Sequence, residues 1–124
     1  LSGKYVPGEA VPAGSRATDE KGGADFVKRF LRDDVLERVQ ALRPVAEQAG
    51  LSLAQLAVAW VLQNPNVASA IIGASRPEQV EENVKAAGVR LAPELIALVD
   101  EVLGDVVERD PDLTLENAPA GRVV

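Results

Sequence analysis

The chain has 124 residues, 47% of them hydrophobic, with 13 Lys and Arg against 19 Asp and Glu for a formal net charge of −6, the size and balance of one modest globular domain. The acidic surplus argues against a nucleic-acid surface, which needs clustered excess cations. The absence of Cys and His excludes disulfides, thiolate and imidazole metal sites, Cys nucleophiles and His general bases within these residues.

In chain order, residues 2–25 are punctuated by Gly3, Pro7, Gly8, Pro12, Gly14, Gly22 and Gly23 with no sustained apolar period, which predicts a long loop. The opening at Leu1, with no initiator Met or signal stretch, reads as a cut from something longer. Phe26, Phe30 and Leu31 suggest a short helical turn. Val35, Leu36, Val39, Leu42, Val45, Ala46 and Ala49 then recur at helical spacing and predict one helix over residues 34–49, kinked by Pro44 and stopped by Gly50. Ser52 and Gln55 form a capping-box pattern ahead of a run to Leu62 that is apolar nearly all round, so this helix should be buried on most sides, with Trp60 as core. That run is too short for the ~20 apolar residues of a bilayer span. Residues 68–72 are a short apolar segment bounded by Asn66 and Gly73 and suit a fully buried strand. A helix follows over residues 77–87, with Val80, Val84 and Ala87 on its buried stripe. Pro93 opens the last helix, which carries Leu95, Ile96, Leu98, Val99, Val102 and Leu103 and ends at Gly104; residues 105–124 read as an irregular tail. With aromatics at 3%, the core must be built from Ala, Val, Leu and Ile.

One strand among several helices lacks ladder partners, so the pattern predicts the C-terminal part of an α/β fold whose other strands lie upstream. The run Ile71, Ile72, Gly73, Ala74, Ser75, Arg76, Pro77, Glu78, Gln79, Val80, Glu81, Glu82, Asn83, Val84 resembles the C-terminal cofactor-binding motif of aldo-keto reductases. Ser2 to Tyr5 resembles the segment after barrel strand seven, Gly14 to Ala17 the loop that follows it, and Ser52 to Ala57 the start of the seventh barrel helix. The resemblance covers residues 1–104 and is nearest the branch with potassium-channel β subunits and their bacterial relatives. It implies the C-terminal portion of a (β/α)8 TIM barrel, mostly helical with one strand, in a cytoplasmic NADPH-dependent reductase of small carbonyl substrates. The family's catalytic Asp, Tyr, Lys and His come from earlier strands, so these residues alone should be inactive and should need the missing N-terminal part of the barrel; a nucleotide-sensing binding protein of the same fold is the alternative. Oligomers are compatible with this reading.

Residues 73–83 form the strongest candidate site. The start of a helix at Pro77 exposes backbone N–H groups that attract anions. Ser75 suits capping or a phosphate, and Arg76 is a cation at the unfavourable end of the helix dipole unless an anion is shared there. A capping box of Ser75 with Glu78, leaving Arg76 solvated, explains the same residues without a ligand. Gln79, Glu82 and Asn83 share one helix face, which is either wet surface or, by the resemblance, the contact for the adenosine of NADPH. Also by the resemblance, Gly73 belongs to this site, while Lys4 and Arg16 hold the pyrophosphate and the loop over it, with Ser15 beside them; a plain surface loop is the competing reading. Tyr5 reads as structural. No metal ligands are expected.

Overall fold

The structure is a computed structural model that describes residues 2–110 and 112–113. The helices among these residues are α1 (Gly23–Lys28), α2 (Asp33–Ala41), α3 (Arg43–Gln48), α4 (Leu53–Leu62), α5 (Pro77–Val84) and α6 (Pro93–Leu103), with 3-10 turns at Arg16–Thr18 and Gly104–Val106. Most of the expected irregular tail lies outside the described residues.

The helix expected over residues 34–49 is two helices. Pro44 has no N–H to donate to the preceding turn and its ring clashes there, so α2 stops at Ala41 and Pro44 sits in the first turn of α3, where the missing donor costs nothing. Val39, Leu42, Val45 and Ala46 still face one way and are buried. The α2–α3 unit meets α4 at a bend of 88°. The capping box of α4 forms as expected: the Gln55 N–H donates to Ser52 Oγ at 3.2 Å and the Ser52 N–H donates to Gln55 Oε1 at 3.0 Å. These bonds satisfy two of the amides that a helix start leaves unpaired.

The core is entirely aliphatic, as the composition requires. Val39 and Leu42, then Leu53, Leu56 and Ala59 of α4, then Val99 and Leu103 of α6 pack into one cluster, with Leu56 and Ala59 at 1% and 0% exposure. Trp60 is only half-buried: it packs on the edge of this cluster and borders an apolar cavity of about 450 Å³ between the N-terminal loop, α2 and the end of α6. The N-terminal loop is docked on α2 through Gln40, whose Nε2 donates to the carbonyls of Gly3 at 3.2 Å and Tyr5 at 2.9 Å.

Two further expectations are overturned. Residues 68–72 are not a strand, and no strand occurs among the described residues. A strand is defined by a ladder of hydrogen bonds to a neighbour, and a single run cannot supply its own; Ile71 is fully exposed and Ile72 is 42% exposed instead of buried. The sheet of the expected α/β architecture is thus absent from the described residues, which show only its helical layer. The second correction concerns α5, which ends at Val84 rather than at Ala87. Its expected stripe faces solvent, with Val80, Val84 and Ala87 exposed, whereas Ala86 just beyond it is fully buried. Packing of α5 is chiefly against α4, so a helix with only one neighbour covers one face and leaves its apolar stripe bare. Among the described residues, no single helix is long and apolar enough to cross a membrane.

Candidate functional site

An open groove of about 890 Å³ runs between the N-terminal loop, the start of α4 and α5. Lys4 and Arg16 enter it from the loop, and Gly73, Ser75, Gln79, Glu82 and Asn83 from α5 and the segment before it. Seven of the nine sequence-predicted residues therefore meet across parts of the chain more than fifty positions apart. Arg76 and Ser15 do not line it. Arg76 is the exposed residue preceding α5, and Pro77 after it holds its backbone extended at φ −144° and ψ 147°. Ser15 is 3% exposed, and its Oγ has no hydrogen-bond partner among the described residues.

No side chain caps the first amides of α5, so the capping box of Ser75 with Glu78, one of the two readings of the sequence, does not form. Ser75 does not pair with Glu78; its N–H and Oγ both donate to Gln79 Oε1, at 2.8 and 3.2 Å. Gln79 is the third residue of the helix and reaches back past the N-cap residue Arg76 to Ser75. A ligand anion at the helix start would take these two donors from the Gln79 carbonyl oxygen.

The charges are arranged in two groups. Lys4, Arg16 and Arg76 are exposed and make no side-chain hydrogen bond or ion pair among the described residues, which leaves three cations available to an anion. The carboxylates are not equivalent to them. Glu82 is paired with Lys85 at 3.0 Å, and that hydrogen bond, aided by the Ser52 hydroxyl, lowers its pKa below the ordinary carboxylate value. Glu82 thus stays an acceptor, suited to amino or hydroxyl donors of a ligand, and Asn83 beside it offers both a donor and an acceptor.

Sequence reasoning missed the roles of Tyr5, Glu78 and Ala54 as groove walls. Tyr5 also has the structural part the sequence suggests: its hydroxyl accepts from the Ala17 N–H at 3.3 Å and so ties the Arg16 turn to the start of the chain. No local pattern announces a contact across twelve residues of irregular chain. Ala54 could have been found as the small residue on the otherwise large-sided first turn of α4. Among the described residues there is no cluster of His, Cys, Asp or Glu able to hold a metal.

Residues 1–104 match the family model described as the Aldo/keto reductase family. A probable voltage-gated potassium channel subunit beta of Arabidopsis thaliana is 43% identical over 111 residues, 90% of this chain and 33% of the relative. One of the same description from Oryza sativa subsp. japonica is 44% identical over 105 residues, 83% of this chain and 31% of the relative. L-glyceraldehyde 3-phosphate reductase of Escherichia coli strain K12 is 36% identical over 107 residues, 85% of this chain and 30% of the relative. The chain spans about a third of the length of the curated relatives it matches.

Proposed function

Because this chain belongs to the aldo/keto reductase family, we propose that it is the C-terminal part of a (β/α)8 barrel oxidoreductase and holds the 2′-phosphate, adenosine and pyrophosphate of NADPH. The observation behind this reading is the groove in which Lys4 and Arg16 face Ser75, Gln79, Glu82 and Asn83. The donor set fits that ligand. The unpaired cations Lys4 and Arg16 on the loop side of the groove, with Arg76 exposed just outside it, suit its phosphates, the α5 N-terminus favours negative charge, and Glu82 and Asn83 supply acceptors and a donor for adenine or ribose. Bound NADPH would supply the hydride for reduction of a small carbonyl compound.

The proton donor for that reaction is not among these residues: the family's Asp, Tyr, Lys and His belong to earlier strands, and the chain contains no His. The proposal therefore requires the remainder of a barrel as partner, and the bare apolar side chains of Ile71, Ile72, Val80 and Val84 are a surface for it to cover. On its own the chain would not turn over a carbonyl substrate.

The test is a fluorescence titration of the barrel-length protein containing these residues with NADPH and with NADH, before and after Arg76→Ala. Loss of a charged hydrogen bond is worth ~1.5 to 3 kcal/mol, so NADPH affinity should fall roughly 10- to 150-fold with NADH affinity nearly unchanged. Equal losses for both cofactors would refute the assignment. A second reading, a nucleotide-sensing regulatory protein with slight turnover, is favoured by the channel-subunit descriptions of the relatives at 43% and 44% identity. Steady-state aldehyde reduction by the same protein separates the two.

A further inference from the structure

The side chain of Gln55 has a second bond that the capping of α4 does not explain. While its Oε1 accepts from the Ser52 N–H, its Nε2 donates to the Glu82 carbonyl oxygen of α5 at 3.2 Å. Gln55 is 7% exposed, one of two buried polar residues among those described. Glu82 lies in the last turn of α5, where helix geometry leaves carbonyls without intrahelical partners. The amides that follow turn elsewhere, Ala86 to Asn83 and Ala87 to Val84. Gln55 thus caps the end of α5 from another helix, and burial makes that bond costly to leave unmade.

The joint matters because α5 packs chiefly on α4, while Gln79, Glu82 and Asn83 are all carried by α5. Glu82 lines the groove while its backbone carbonyl is held by Gln55, so one groove residue is tied directly to the start of α4. Nothing else in this network reaches the groove directly: Gln55 itself does not line it.

We propose that Gln55 is a positioning residue for the adenosine-binding face, clamping α5 to the first turn of α4 so that Glu82 and Asn83 stand at ligand distance from Lys4 and Arg16. This rests on the NADPH reading above. Two jobs of the side chain are separable by substitution. Gln55→Glu keeps the oxygen that caps α4 but at pH 8 replaces the Nε2 donor by a carboxylate oxygen facing the Glu82 carbonyl. A residue that served only as a cap would tolerate it, since Glu is equally favoured at that helix position.

The experiment uses the barrel-length protein and adenosine 2′,5′-bisphosphate, which probes only the adenosine end, alongside steady-state kinetics with NADPH. Gln55→Glu should raise the Kd for the bisphosphate roughly tenfold and raise the NADPH KM in parallel, leaving kcat unchanged at saturating cofactor. Unchanged affinity in a folded Gln55→Glu protein overturns the proposal. Failure of the unmodified protein to bind the bisphosphate at all overturns instead the NADPH reading on which it rests. Should the variant not fold, hydrogen exchange on the unmodified protein decides: saturation with the bisphosphate should slow exchange of the Ser52 and Gln55 amides as well as those of residues 83–87. Protection confined to α5 would show that the clamp transmits nothing.

Discussion

Replacing Gly3 by Ala should cost stability for two reasons that the structure separates. Gly3 has φ +68°, and a Cβ built there would lie 2.6 Å from Leu53 Cδ2 and 3.2 Å from Arg43 Nη2. The left-handed backbone costs a non-glycine residue ~1 to 2 kcal/mol, less the ~0.4 to 1 kcal/mol regained because Ala has a less disordered unfolded state. The overlap with Leu53, a 7%-exposed member of the core, adds ~1 to 3 kcal/mol as overpacking does. Together these give roughly 1 to 5 kcal/mol. Gly8 is the internal control: its φ is +73° and nothing lies within 4 Å of a Cβ there, so Gly8→Ala carries only the backbone cost. Urea unfolding of the two variants should therefore show Gly3→Ala the weaker by the overlap energy. Because the Gly3 carbonyl accepts from Gln40 and Arg43 and Lys4 follows it into the groove, NADPH affinity should fall as well. Equal midpoints for the two variants would refute the close approach of residues 2–5 to α4.

Leu56→Ala removes the most deeply buried large side chain of α4, at 1% exposure, beside a small void shared with Leu42, Val99 and Leu103; the expected loss is ~3 to 5 kcal/mol, read from denaturant midpoints, and less than 1 kcal/mol would place this residue outside the core. The Glu82 carboxyl should titrate below its ordinary value of 4.5 because of Lys85 and then Ser52. A depressed carboxylate contributes stability that is present above its unfolded pKa and is lost as pH falls through the lower folded value, so acid should weaken this contact and Glu82→Gln should flatten the dependence. A carboxyl NMR titration of Glu82 at or above the ordinary value would contradict the pairing.

What the sequence determined by itself were the features set within a few residues: the capping box at Ser52 and Gln55, the helix start at Pro77, the stop at Gly104, and the all-aliphatic composition of the core. Each depends on local backbone geometry or on side-chain inventory, both visible in a window of a dozen residues. The site residues were also legible, but through resemblance rather than pattern, since polar groups at helical spacing look alike whether they face a ligand or water. Tertiary structure decided the rest. It brought Lys4 and Arg16 to the face of α5, paired Ser75 with Gln79 rather than Glu78, and gave Gln55 a second partner twenty-seven residues away. It also denied residues 68–72 their strand and Val80 and Val84 their burial. An apolar run records a tendency to leave water, but a strand needs a neighbour's backbone and a buried stripe needs a surface to lie against, and those are properties of the elements around a segment rather than of the segment.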